Sequence, residues 1–139
     1  MKFWDTSALV PLITKEERTP DCQRIIGTDR NVAVSFITPL ELTSTIWKRG
    51  RRWIDQAAFR RSLFKIAEFE SNWTNVDDAE DILKLARQLI TLYVLRSSDA
   101  IQLAAALHLV DDHPEDLPFV SLDNDLRRAA RSEGFAVLP

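Results

Sequence analysis

The segment Val32-Ala33-Val34-Ser35-Phe36 is β-rich and almost wholly apolar, without the alternation of a half-exposed strand. Such a run fits a strand buried on both faces, which is the situation of a parallel sheet covered by helices. The rest of the chain supplies the partners. Further strands are expected at 2–4, 73–76, 119–122 and 135–138. Helices are expected at 7–14, 21–26, 38–49, 54–70, 78–93, 98–110 and 124–132. Thr38-Pro39 is a helix start, while Gly50 and Gly134 are helix stops. Pro11 is tolerable only because it is expected in the first turn, where N–H groups lack partners in any case. DDHPEDLP reads as a loop. Strands alternating with helices imply an α/β class with a mainly parallel sheet of about five strands between two helical layers.

A length of 139 residues suits a single domain over 1–139. Cys22 is the lone cysteine, so an internal disulfide and a Cys-based zinc site are both excluded, and a reducing cytoplasm is the expected location. No signal-type apolar core follows MKFW, and no apolar run approaches the length of a membrane span. The glycines, Gly27, Gly50 and Gly134, stand far apart. Phosphate-cradling loops and dinucleotide fingerprints need clustered glycines, so most nucleotide-binding readings of an α/β fold fall away.

Ligands of open parallel sheets sit beyond the carboxyl ends of the strands, where strand order reverses. Asp5 lies just past the first expected strand and Asp123 just past the fourth. If the chain winds outward through strands two and three and then returns, these two aspartates face each other. Acids recur at such places: Asp5 in WDTSAL, Glu41 in TPLELT, Asp99 in RSSDAIQLA, and Asp123 with Asp125 in VSLDNDL. Each has an ordinary local role open to it. Asp5 and Asp123 are good N-caps, Glu41 stands at capping-box spacing from Thr38, Asp99 suits the positive end of a helix dipole, and Asp125 suits solvent. Local roles do not explain why so many acids gather at one edge of a sheet.

The ordered set resembles the PIN-domain nucleases, in particular the VapC-type ribonuclease toxins of type II toxin–antitoxin pairs. It comprises DTSAL at the start, Glu41 in the first turn after the second strand, S-D-A-I-Q-L-A on an Ala-rich helix, and Ser-x-Asp after an apolar strand. The resemblance covers the whole chain. It implies a three-layer PIN-like fold with Asp5, Glu41, Asp99 and Asp123 as the acidic positions and Thr6 and Ser121 as accessory hydroxyls. Asp125 is a further accessory candidate. It also implies hydrolysis of an RNA phosphodiester, an antitoxin partner and a homodimer. Clustered carboxylates repel one another and need a cation, and oxygen-only ligands suit Mg²⁺, or Mn²⁺ in its place, rather than zinc. On this reading Asp5 and Asp99 bind the metal, Asp123 does so directly or through water, and Glu41 holds a metal-bound or attacking water.

Basic residues gather at Lys48, Arg49, Arg51, Arg52, Arg60, Arg61 and Lys65, and again at Arg127, Arg128 and Arg131. Singly these suit a solvated helical face; as a group they suit phosphate contacts. Arg49, Arg51, Arg52 and Arg96 are the RNA-binding candidates. Trp47, Trp53, Phe59, Phe64 and Phe69 are expected mostly in the core, with any surplus forming a groove for a partner helix. His108 should point away from Asp99, and His113 lies in a loop, so histidine-based hydrolysis is disfavoured. Two alternatives remain: a catalytically silent binding module of the same fold, and a receiver-like phosphoacceptor domain. A receiver needs paired acids after its first strand and a late lysine, whereas Thr6 follows Asp5 and no lysine follows Lys84.

Overall fold

The computed structural model describes residues 1–50, 56–111 and 113–139. Strands β1 (Lys2–Trp4), β2 (Val32–Ser35), β3 (Thr74–Val76), β4 (Phe119–Val120) and β5 (Val137–Leu138) form one parallel sheet in the order β3-β2-β1-β4-β5. β1 therefore lies between β2 and β4, with Phe3 opposite Phe119 and Trp4 opposite Val120. Strand order reverses at the β1/β4 seam, as expected.

Adjacent strand residues point to opposite faces, and each face has its own helical cover. Phe3, Ala33 and Phe119 pack with Ile82, Ala86 and Leu89 of α5 (Ala79–Leu92), Leu103 and the alanines of α6 (Ser97–Val110), and Leu126 and Ala129 of α7 (Asn124–Ser132). Trp4, Val32, Val34 and Val120 pack on the other face. Their partners include Leu9 and Ile13 of α1 (Thr6–Ile13), Cys22 of α2 (Thr19–Thr28), Leu42 and Ile46 of α3 (Thr38–Gly50), and Ile66 of α4 (Gln56–Glu70). The run Ala104-Ala105-Ala106 is fully buried. Small side chains let α6 lie close against both the sheet and α5.

Boundaries differ from the sequence expectation where side chains take over from the backbone ladder. Phe36, Leu122 and Phe135 lie just outside their strands. α1 begins at Thr6 because Asp5 caps it, so Pro11 falls in the second turn rather than the first. The helix thus forgoes the hydrogen bond residue 11 would donate to Ser7. Pro11 is buried, and its own carbonyl accepts from Thr19 Oγ1 at 2.8 Å, which ties α1 to α2. The expected start of α4 at residue 54 lies outside the described residues, and the loop after α6 contains a short 3₁₀ turn at Pro114–Asp116. α7 gives way to β5 through Gly134, whose φ of +99° suits a residue without Cβ.

The aromatic expectation needs correction. Phe59 and Phe69 are partly buried, but Trp47 is 52% and Phe64 77% exposed, so these two are not core residues. Trp47 instead meets Phe59 of α4 edge to face, with ring centroids 5.1 Å apart. Trp53 lies outside the described residues.

Candidate active site

Asp5, Glu41, Asp99 and Asp123 each stand at the start of a helix that follows a strand end or turn on the carboxyl side of the sheet. Asp5 caps α1 and is 4% exposed. Its Oδ2 accepts from the Ser7 backbone N–H at 3.2 Å, from the Ser121 hydroxyl at 3.0 Å, and from the Ser7 hydroxyl in a short contact. Ser7 Oγ in turn accepts from the Leu122 N–H at 2.8 Å, and Ser121 Oγ accepts from the Asp123 N–H at 3.1 Å. The hydroxyl pair thus bridges the β1/β4 seam and binds Asp5 to the backbone that carries Asp123.

Asp123 caps α7. Its Oδ1 accepts from the N–H groups of Asp125 and Leu126, both at 2.9 Å. Glu41 stands in the first turn of α3, yet the capping box with Thr38 does not form. The Glu41 N–H goes to the Ile37 carbonyl at 3.0 Å. Its Oε2 instead accepts from the Thr6 hydroxyl at 2.7 Å and from Gln102 Nε2 at 2.7 Å. Asp99 does take up a local role, lying in the first turn of α6 just after Arg96.

A common feature joins three of these acids. Asp5, Glu41 and Asp123 each use one carboxylate oxygen for the fold, and their other oxygens carry no hydrogen bond from the described residues. No ion pair among the described residues engages any of the four. Capping and site roles are therefore compatible in the same side chain.

The electrostatics reflect burial first and the neighbouring like charges second. Burial raises the Asp5 pKa from 3.8 to about 6, against the pull of the Ser7 and Ser121 hydrogen bonds and with a further push from Glu41. Burial also raises Asp99, followed by the charge of Asp123, while Arg96 opposes and Glu41 adds to the rise. Asp5 and Asp99 are thus the two acids pushed by their neighbours, Asp5 by Glu41 and Asp99 by Asp123 and Glu41.

Among the described residues, no three Asp, Glu, His or Cys side chains are gathered tightly enough to hold an ion by themselves. A Mg²⁺-type site does not require that, since the ion binds through one or two carboxylates and retains several waters. The oxygen-only donor set, with a buried Asp5 that has no cationic partner among the described residues, fits a hard divalent cation.

Other candidates are placed as follows. Thr6 and Ser121 join the acids directly. Asp125 turns its carboxylate to Arg128 on the α7 surface. Arg96 is exposed beside Asp99. Arg49 is ion-paired with Glu16, and Arg51 and Arg52 lie outside the described residues. His108 faces Asp78 at 3.5 Å, and His113 faces Glu115 at 3.5 Å. Ser7, Thr38 and Gln102 were not expected as site residues. Gln102 carried a signal, being an amide one turn after Asp99 on an otherwise apolar, Ala-rich stretch. Ser7 and Thr38 looked like ordinary helix-start hydroxyls.

A family model described as PIN domain matches residues 2–132, so the chain belongs to the PIN-domain family. PIN domains are generally nucleases and typically use divalent metals. Among solved structures, the fold is similar to a chain of "Toxin-antitoxin complex from Klebsiella pneumoniae". The two are 18% identical with a TM-score of 0.67, over 100% of this chain and 97% of that chain. No curated protein sequence matches the chain. No helix among the described residues is long and apolar enough to cross a membrane.

Proposed function

We propose that residues 1–139 form a single metal-dependent endoribonuclease domain, the toxin of a toxin–antitoxin pair. The observation that carries this reading is the set of unengaged carboxylate oxygens on Asp5, Glu41 and Asp123, with Asp99 alongside, at the β1/β4 switch point. Asp5, Asp99 and Asp123 would hold Mg²⁺ or Mn²⁺, and Glu41 would orient the attacking water. A bound divalent ion would acidify that water and offset charge on the scissile phosphate. Thr6, Ser7 and Ser121 fix the carboxylates beforehand, so little reorganisation is left for the reaction. Exposed Arg96 would contact the RNA backbone beside the site.

The structural neighbour comes from a toxin–antitoxin complex, which supports a protein partner for this chain. A cavity of about 380 Å³ between the α1–α2 turn and the α3–α4 pair, lined in part by Ile46, Arg49 and Phe59, offers that partner a seat. Leu83 and Ile90, exposed one heptad apart on α5, with exposed Leu92 and Val94 beyond, support a homodimer. The test of activity is cleavage of RNA by the purified protein with Mg²⁺ or Mn²⁺ against excess chelator, with DNA as a second substrate. Undiminished cleavage in chelator would sink the metal-dependent reading, and cleavage of DNA alone would sink the RNA assignment.

A further inference from the structure

Gln102 is fully buried, and its amide stands among three side-chain oxygens from two other helices. Nε2 lies 2.7 Å from Glu41 Oε2, 2.9 Å from Thr6 Oγ1 and 3.1 Å from Thr38 Oγ1, and Oε1 lies 3.4 Å from Thr38 Oγ1. One amide orientation satisfies this arrangement. Turned over, its carbonyl oxygen would face a carboxylate oxygen at 2.7 Å, two acceptors in contact. Thr38 and Glu41 are three residues apart on α3 and so share a face. Gln102 therefore grips that face at two points and binds it to Thr6 at the start of α1. On α6 itself, Gln102 follows Asp99 by three residues, so one helix face carries an acid of the site and, one turn deeper, the amide behind another.

This grip decides how Glu41 meets the site. A glutamate side chain has three rotatable bonds and would sample many orientations at a half-exposed position. Here Oε2 accepts from both the Thr6 hydroxyl and the Gln102 amide, which leaves Oε1 without a bond from the described residues. Resting on the nuclease reading above, we propose that Gln102 is a positioning residue that fixes the Glu41 carboxylate so that a single oxygen addresses the reacting water. Thr38 serves as its anchor.

Gln102→Met keeps the length and volume of the side chain and removes the amide. It is expected to lower kcat on the order of 10²-fold, the scale of a misplaced catalytic group, with KM for RNA and the Mg²⁺ affinity measured by calorimetry close to those of the parent. Glu41→Gln lowers kcat by itself, and Gln102→Met added to it should cost little more. A merely structural role predicts the opposite, the same loss in both backgrounds, and that result would overturn the proposal. A second measurement does not depend on cleavage. The Gln102 side-chain amide signals in the metal-free parent should exchange slowly with water and shift on Glu41→Ala. Fast exchange, or signals indifferent to Glu41→Ala, would overturn the proposal even in an inactive protein. If the parent fails to cut RNA with either metal, the nuclease reading fails, while the amide signals still decide whether Gln102 holds Glu41.

Discussion

Ser121 donates its hydroxyl to Asp5 at 3.0 Å, across the seam where β4 meets β1 and between residues 116 positions apart. The same oxygen accepts the Asp123 N–H. One buried hydroxyl thus couples two acids that the sequence holds at opposite ends of the chain.

Ser121→Ala should therefore act on both. Asp5 loses a donor and the Asp123 N–H loses its acceptor, a cost of about 1–3 kcal/mol. Because the Ser121 hydrogen bond holds the Asp5 pKa down, its loss should push that pKa above the parent value. Urea unfolding and a carboxyl NMR titration read the two effects separately.

The Asp5 shift also sets a pH dependence. Its folded pKa, about 6, lies above its ordinary value of 3.8. Between these values the folded chain holds more proton than the unfolded chain, so stability falls as pH rises. The full shift corresponds to on the order of 3 kcal/mol, and Asp99 moves in the same direction. Asp29, lowered to about 2 mainly by its bond to the N-terminal amine, works in the opposite sense but below pH 4. Metal-free protein should thus be more stable near pH 4.5 than at pH 7. Asp5→Asn should flatten most of that slope, as denaturation across pH 4–8 in chelator would record.

The architecture was legible because the inner strands β1, β2 and β4 are short, mostly apolar and buried, a pattern that leaves few folds open, although the edge strands β3 and β5 are more exposed. The positions of Asp5 and Asp123 followed from topology, since Asp5 directly follows β1 and Asp123 comes shortly after its neighbour β4. What holds them was less legible. Ser7 and Thr38 look like helix-start hydroxyls, and only tertiary packing turns Ser7 toward Leu122 and Thr38 toward Gln102. Glu41 shows the same limit, because its spacing from Thr38 permits a capping box and the nearness of α1 and α6 overrides it. Exposure of Phe64 and Trp47 was hidden because helical periodicity marks an apolar face without saying whether anything covers it.

Two arginines, Arg96 beside Asp99 and Arg49 in the last turn of α3, should differ in their response to salt. Arg96 has no ion pair among the described residues, whereas Arg49 is held by Glu16. Arg96→Ala should reduce the slope of log affinity for RNA against log salt by about 1. Glu16→Ala should steepen that slope, since it releases Arg49 for a phosphate. Binding is measured with catalysis blocked by chelator. Unchanged slopes in both variants would remove these arginines from the RNA path.

Asp5→Asn separates a metal-binding acid from a cap. Asn is as good an N-cap as Asp, and its amide oxygen can replace Oδ2 as acceptor for Ser7 and Ser121. The amide nitrogen then occupies the place of Oδ1, the oxygen that no described residue bonds. The fold keeps its hydrogen bonds while the site loses a charge and a ligand. Two carboxylates about 4 Å apart repel by up to about 4 kcal/mol at an effective dielectric of 20, before counterions and proton sharing reduce it, and Glu41 does push on Asp5. Metal-free Asp5→Asn should therefore melt at a higher temperature than the parent near neutral pH. It should also lose most of the stabilisation that Mg²⁺ gives the parent through binding to the folded state, and it should not cleave RNA. Thermal melting of both proteins across a Mg²⁺ titration measures the first two effects together. Equal melting temperatures and equal responses to Mg²⁺ would make Asp5 a cap alone, and the divalent site would have to be built from the remaining acids.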